Sequence, residues 1–296
     1  MHISVLKNEV LSGLEIKPND IVLDCTINGA GHSSEIARLL DESGTLVGLD
    51  ADGDALKKAE GRLGEFKCKL FLRQTNFRNL DEILNSLEIP KIDKVLFDFG
   101  LSSNQLADSE RGFSFDKDEP LIMTFKNNPD SNDLTADTLV NGSSEEALAN
   151  IIYAYGEERY SRKIANAIVN ARIVSPIKST SALVEIVKSA VPSSYRHGKI
   201  HPATKTFQAL RIAVNDELGS IRIGLAKSFE RLNSGGRLVA ISFHSLEDRE
   251  VKNFSRAKKR EGLAIEVTRK PITASREEIL TNPRSRSAKL RIIIKK

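Results

Sequence analysis

Two hydrophobic periods alternate along the first hundred residues. Short apolar runs stand at Ile21–Asp24, Thr45–Leu49, Lys69–Arg73 and Lys94–Phe97. Between them, near residues 33–41, 54–63 and 79–87, apolar positions recur every three or four residues. The runs read as buried strands and the intervening stretches as amphipathic helices. This order predicts a parallel, doubly wound α/β sheet. The pattern then breaks. From about Ser103 to Ala203 no buried strand is evident; turn-rich stretches (KDEP, NNPDSND) lead into helical patterns near 145–155, 158–172 and 180–190. A long helical pattern over Phe207–Leu232 precedes a strand at Gly236–Phe243, introduced by the turn Asn233-Ser234-Gly235. Strands at Leu263–Thr268 and Ala288–Ile294 follow. The reading is one discontinuous α/β domain with a mostly helical domain inserted after the fourth strand. Its expected limits are 1–103 and 204–296 for the two parts of the α/β domain, and 104–203 for the insertion.

Composition supports a buried core: 40% of the 296 residues are hydrophobic and 28% charged. The two cysteines, Cys25 and Cys68, lack metal-ligand spacing and read as reduced thiols of a cytoplasmic protein. MHISVLKNEV has no basic n-region or long apolar stretch, so no secretion signal is expected. No apolar run approaches the roughly 20 residues of a membrane span, and no membrane partner is expected. Charge changes the picture more. From Lys252 to the end there are 14 Lys/Arg against 4 Asp/Glu, a local +10. The other 251 residues therefore carry −6 of the total +4. Such a basic segment on a near-neutral body is either a solvated tail or a footprint for nucleic acid.

The candidate chemistry starts at residues 21–34, IVLDCTINGAGHSS: a strand, a turn with Gly29 and Gly31, then a helix start. A nucleoside-triphosphate loop needs Lys and Ser/Thr after its last glycine, and here His32-Ser33 follow Gly31. The dinucleotide fingerprint lacks its third glycine. S-adenosylmethionine has no phosphate; it needs backbone room in the turn and an acid for its ribose. Asp50, ending the second strand 19 residues after Gly31, is that acid. Phe77 after the third strand is placed either to face an adenine or to fill the core. Asp24, Asp50, Phe77 and Asp98 all fall at carboxyl ends of strands, where open α/β sheets hold ligands. The two closing strands, with only a loop expected between them, suggest the antiparallel ending of a class I methyltransferase rather than further βα units, by analogy of fold alone.

Long motifs then carry a resemblance over essentially the whole chain. SVLKNEV (4–10), FGLSSNQLADSERGFSF (99–115), YGEERYSRKIANAI (155–168), HPATKTFQALRIAVNDEL (201–218), SGGRLVAISFHSLEDREVK (234–252) and NPRSRSAKLR (282–291) occur in the order of the RsmH (MraW) family. That family methylates the N4 amine of a cytidine in small-subunit (16S) ribosomal RNA with S-adenosylmethionine as cofactor. The resemblance implies a class I SAM-dependent methyltransferase (Rossmann-like) fold. It implies cofactor contacts at Ala30, Gly31, His32, Asp50, Phe77, Asp98 and Gln105; His32 and Gln105 rest on the resemblance only. The chain departs from the family at 120–125, PLIMTF, where Ile122 replaces an acid and Thr124 an arginine, and in the turn, where Cys25, Asn28 and Ala30 stand at positions that are often glycine.

The reaction needs no metal, because a sulfonium is already electrophilic. It needs the cytosine amine held in line with hydrogen-bond acceptors around it. Asp98 is the first candidate for contact with the reacting centre, and His244 the second, as hydrogen-bond partner or proton acceptor. Ser102, Ser103, Asn104, Ser242, Ser245 and Glu247 lie at the same strand ends. His201, before Pro202, reads as positioning the following helix. Phosphate contacts are expected from Arg111, Arg159, Arg162 and Lys163 in the insertion, and from Lys258, Lys259, Arg260, Arg284 and Arg286 near the end. The expected partner is small-subunit RNA or the 30S subunit; the sequence is silent on oligomeric state and leaves a homodimer open. Three readings stand against this one. One is a methyltransferase for another nucleic-acid amine, disfavoured because DFGLSS replaces the Asp/Asn-Pro-Pro-Tyr/Phe of DNA amine methyltransferases. One is a SAM-binding RNA or ribosome assembly factor with altered or no methyl transfer. The last is a dehydrogenase.

Overall fold

The structure is a computed structural model and describes residues 4–101, 105–106, 109–127, 129–130 and 132–296. Ser102, Ser103 and Asn104 lie outside the described residues. The chain forms two compact units, Met1–Gly100 with Leu218–Lys296, and Leu101–Glu217.

The first unit is a mixed sheet in the order β3-β2-β1-β4-β5-β8-β6. Its strands are β1 (Ile21–Asp24), β2 (Thr45–Asp50), β3 (Lys69–Gln74), β4 (Ile92–Asp98), β5 (Leu232–Ser242), β6 (Ala264–Glu266), β7 (Ile272–Thr273) and β8 (Lys289–Lys295). β1 to β5 are parallel, so their carboxyl ends share one edge. β8 runs antiparallel between β5 and β6, and β7 pairs with β8 alongside β6. Helices α1 (Lys7–Leu14), α2 (Gly31–Leu39) and α3 (Gly53–Leu63) bury Val10, Ile36 and Ala59 against Val22, Leu46, Leu96 and Val239 of the sheet. On the other face, α4 (Leu80–Ser86) is tied to the helix over 217–231 by Lys227–Asp81 at 2.6 Å. Strands buried on both faces read as continuous apolar runs, which is why the sequence announced them.

The second unit is helical: α5 (Ala136–Gly142), α6 (Glu145–Gly156), α7 (Ser161–Val174), α8 (Thr180–Ala190), α9 (Ser193–Arg196) and α10 (Thr204–Asn215). Leu139, Leu148, Ile152, Ile164, Ile168, Leu183, Phe207 and Leu210 form its core. The expected limit of the insertion at 203 falls instead after Glu217. The physical reason is that Phe207 and Leu210 of α10 belong to this helical core.

Three expectations need correction. The long helix over 207–232 is two helices, α10 and α11 (Glu217–Arg231), parted at Asp216, whose φ of 44° is left-handed. Asn and Asp tolerate that conformation better than other residues with a Cβ, and Asn215-Asp216 carried the signal. The turn at 233–235 lies within β5: the pairing with β4 shifts register between Ile92 and Lys94, and Gly235 takes φ 78° there. Such an irregularity lets turn residues ride inside a ladder. The last strands are not joined by a bare loop, since β7, α13 (Arg276–Thr281) and a short 3-10 turn (Pro283–Ser287) stand between them. The helix α12 (Ser245–Arg260) follows β5.

Candidate functional site

Parallel order reverses between β1 and β4, so a crevice opens at their carboxyl ends. Three aspartates end adjacent strands there. Asp24 ends β1 and is buried; its carboxylate accepts from the Ser33 hydroxyl and, at 3.0 Å, from the Thr26 N–H. Burial pushes its pKa up to about 6 against the pull of these hydrogen bonds. Asp98 ends β4. Its own N–H donates to Thr26 Oγ1 at 2.6 Å, which knits the two strand ends together. Burial, then the charges of Asp24 and Glu247, push its carboxyl up to about 8. Asp98 Oδ1 is buried with no hydrogen-bond partner among the described residues. His32 Nε2 lies 3.7 Å from Asp98 Oδ2.

Asp50 ends β2. Its Oδ2 accepts from the Asn28 N–H and its Oδ1 from the Asp52 N–H, both at 2.8 Å. One carboxylate thus ties the turn to β2, and each oxygen keeps a lone pair for a further donor. Burial pushes it up to about 7, although both N–H bonds pull the other way. Asp52 caps α3 by accepting from Asp54 N at 3.0 Å.

The turn is held in an unusual shape. Asn28 and Ala30 take φ of 50° and 60°, in the left-handed region where glycine is favoured. Ala30 is the N-cap residue of α2 and Ala30 N–H donates to Ile27 O at 2.7 Å. Arg62 pins the turn by donating to Gly29 O at 2.6 Å. At Gly31 a Cβ would run into the Ser4 hydroxyl, which would have to turn away to admit it. The first N–H groups of α2 then face outward from the turn, as at any helix start.

Phe77 follows β3 in a 3-10 turn, Phe77–Asn79. Its ring meets Phe97 edge-on at 5.4 Å and Phe99 at 6.1 Å. A Cβ at Gly224 of α11 would lie 2.6 Å from the Phe77 ring, so the helix presses on it directly. Phe77 is half-buried. The ring is therefore both packed in the core and partly open at the carboxyl edge.

His244 takes a role that sequence reasoning missed. It is the N-cap of α12: Nδ1 accepts from the Glu247 N–H at 3.4 Å, and Glu247 Oε2 accepts from Phe243 N–H and His244 N–H at 2.7 and 3.2 Å. The lone pair a proton acceptor needs is engaged in the cap. S-x-x-E is the usual cue for such a box; H-x-x-E hid it. Nearby, the buried Ser242 Oγ at the end of β5 has no partner among the described residues, and Ile241 beside it pairs with Asp98. Thr26, the bridge between Asp24 and Asp98, also went unnoticed, because its neighbour in space is 72 residues away.

Gln105 belongs to the second unit, where its carbonyl accepts from Ser109 Oγ at 2.7 Å. In the same unit Arg111 is not placed for phosphate. It is buried, donates to the carbonyls of Thr124 and Phe125 at 3.2 and 3.0 Å, and lies over Phe113. Exposed Arg159 lies over the rings of Tyr160 and Tyr195 at 4.8 and 5.3 Å, with Lys163 at 6.0 Å from Tyr160. His201 stacks on Phe115 at 4.5 Å and accepts from Ala203 N–H at 3.3 Å, so it shapes the entry to α10. In the first unit Lys258 is paired with Glu261 at 2.7 Å and Lys259 with Glu266 at 3.2 Å.

S-adenosylmethionine carries a sulfonium, an ammonium, a carboxylate, a ribose and an adenine. The site answers each chemically. Asp24 and Asp98 offer carboxylates to the cations, and Asp50 offers free lone pairs to ribose hydroxyls. The start of α2 offers N–H groups to a carboxylate, and the Phe77 edge offers an apolar wall to a base. Buried carboxylates held above their ordinary range are those that gain most from a cation.

Comparison with known proteins gives a consistent picture. The model of the MraW methylase family matches residues 1–296. Ribosomal RNA small subunit methyltransferase H of Symbiobacterium thermophilum is 45% identical, covering 99% of this chain and 96% of that protein. The protein of the same name from a Sulfurihydrogenibium species is 48% identical, with 98% of each covered. A crystal structure from Clostridium thermocellum aligns over 100% of both chains with a TM-score of 0.50; at 12% identity it shows the fold alone.

Proposed function

The chain belongs to the MraW methylase family, and from that membership we infer that it is a SAM-dependent methyltransferase whose substrate is the N4 amine of a cytidine in small-subunit ribosomal RNA. The observation that carries the reading is the trio of carboxyls at the ends of three adjacent strands, Asp24 buried and Asp50 and Asp98 half-buried, each held above its ordinary pKa. No helix among the described residues is long and apolar enough to cross a membrane. A cytoplasmic place of work fits a ribosomal substrate.

Bound in this crevice, S-adenosylmethionine supplies an electrophilic methyl group. The chain must do the rest. Asp50, fixed by two backbone N–H groups, orients the ribose. Asp24, fixed by Ser33 and Thr26, holds cationic charge near the turn. Asp98 Oδ1 has no hydrogen-bond partner among the described residues, and that atom is suited to accept a hydrogen bond from the cytosine amine. This bond draws the amine lone pair out of the ring and holds the nitrogen in line. A methyl group gained by the amine would leave positive charge on that nitrogen, beside the Asp98 carboxylate. The Asp98 carboxylate, ionised while a cation is near, then returns toward its raised pKa and takes the proton the nitrogen releases. His244 contributes by fixing the end of β5 and the start of α12, not by accepting that proton. Gln105 is retained as a cofactor contact on the family resemblance.

The departure at 120–125 leaves the local backbone intact. Met123 N–H donates to Arg111 O at 2.7 Å, and Asn215 holds Met123 O and Phe125 N–H at 2.7 and 2.8 Å. The Thr124 side chain adds to these bonds by accepting from the Lys126 N–H at 3.3 Å.

The test is transfer itself. The protein is incubated with methyl-labelled SAM and small subunits lacking the modification, and digested nucleosides are read by mass spectrometry. N4-methylcytidine is the expected product. SAM binding without transfer would select a non-catalytic assembly role instead.

A further inference from the structure

Helix α12 carries charge that the reaction does not use. Arg249, Lys252, Arg256, Lys259 and Arg260 recur at helical spacing along one side. The opposite side buries Glu247, Asp248, Val251 and Ser255 against the unit. Arg249, Arg256, Lys259 and Arg260 are exposed. The helix has 16 residues and so runs about 24 Å from the carboxyl edge of the sheet. Its far end borders a groove of about 460 Å³ lined by Asn253, Arg256, Lys259, Arg260 and Glu266. Glu266 is already paired with Lys259. Arg256 and Arg260, one turn apart, have no carboxylate partner among the described residues.

We propose that the outer side of α12, Lys252 to Arg260, is a track for the phosphate backbone of the RNA substrate, leading from the reacting base to the groove at residues 253–266. The inference rests on the ribosomal RNA reading and adds where on the chain the RNA runs. Three features argue for RNA. The charge is one-sided, since the acids on α12 face inward or are paired: Glu247 is enclosed, Asp248 bonds Arg291 at 2.7 Å and Glu250 pairs with Arg222 at 3.7 Å. Guanidinium groups match phosphate oxygens bidentately and are only weakly hydrated. The helix begins at His244, immediately after the strand that ends beside Asp98, so one rigid element links the chemistry to the track.

The experiment uses the full chain and the double variant Arg256→Gln with Arg260→Gln. Affinity for 16S RNA lacking the modification is measured between 50 and 200 mM salt, with SAM affinity measured in parallel. Losing two phosphate contacts is expected to make the slope of log K against log salt shallower by about 1.4 to 1.8. SAM affinity stays at the wild-type value, which also reports an intact fold. Lys258→Gln, on the paired side, leaves the slope unchanged. A double variant with wild-type slope, beside a wild type that binds and methylates the RNA, overturns the track alone. A loss confined to assembled subunits, with naked RNA bound normally, also overturns it and points to a ribosomal protein. A wild type that neither binds nor methylates the RNA overturns the track together with the function it rests on.

Discussion

The two ends of α12 handle charge in opposite ways. At its start, beside the ends of β4 and β5, carboxyls are withdrawn from water: Glu247 is fully enclosed, and Asp98 is half-buried and held up to about 8. At its finish, Arg256 and Arg260 stand in water above an open groove. Buried charge is costly, so its response is to pH and to a compensating ligand. Exposed charge costs little and is screened, so its response is to salt. The same helix therefore joins a pH-sensitive group of carboxyls to a salt-sensitive surface.

The sharpest way to break this contrast is at Asp98. Asp98→Ala removes the acceptor for the amine and is expected to lower kcat by about 100- to 1,000-fold, the usual loss for one preorganised transition-state partner. Single-turnover rates at saturating SAM check it. Asp98→Asn keeps an acceptor oxygen but not the proton acceptor, and should recover part of the loss only at high pH. A kcat near wild type for Asp98→Ala would move the acceptor role to another group.

A smaller effect separates cofactor from RNA. Asp50→Ala removes up to two hydrogen bonds to a charged acceptor, about 1.5–3 kcal/mol each. SAM affinity should fall at least tenfold by calorimetry, while RNA affinity stays within twofold. Equal losses would count against the ribose role.

The pH profile sharpens the buried end. Asp24, Asp50 and Asp98 sit at about 6, 7 and 8, above an ordinary carboxyl near 4. Between pH 4 and 8 the folded chain holds protons that the unfolded chain has lost. Stability from this source is complete below about pH 4 and is lost as pH rises through 6 to 8. The ligand-free protein should therefore lose Tm across that window. SAM affinity should rise across the same window, because a cation binds the ionised carboxylates. S-adenosylhomocysteine, which lacks the sulfonium charge, should gain less. A parallel rise for both ligands would remove the sulfonium from the account.

The smallest effect concerns the turn. Ala30 carries a left-handed φ of 60° while fully buried. Ala30→Gly relieves that conformation and should raise stability by about 0.5–1 kcal/mol in denaturant unfolding. Gly31→Ala goes the other way, since its Cβ meets Ser4.

The parts of this molecule legible in the sequence were those fixed by local pattern. β1 was read to the residue and β2 to within one, because strands covered on both faces must be apolar throughout, while the edge strand β3 was read to within one from its apolar centre Leu70–Leu72. Asp24, Asp50 and Asp98 were legible because an acid after such a run marks a strand end. Less legible were features whose signal is split across the chain. The α10–α11 break rests on one left-handed residue, Asp216, inside a continuous amphipathic pattern. α12 is very polar, so its capping histidine looked like chemistry and its basic side like a tail. Arg111 looked like a phosphate ligand, yet its guanidinium is spent on two carbonyls 13 and 14 residues away.

By itself the sequence determined the α/β order, the helical insertion, the acids at the strand ends and, through its long motifs, the family. Tertiary structure alone decided which of these groups share one environment. Asp98 N–H reaches Asp24 through Thr26, the charge of Asp24 raises both Asp50 and Asp98, and His32 lies 3.7 Å from the Asp98 carboxylate. A pKa is set by burial and by neighbours in space, neither of which a linear string records. The same holds for Arg256 and Arg260: the string supplies two positive charges, and only the packing of α12 turns them outward onto one groove.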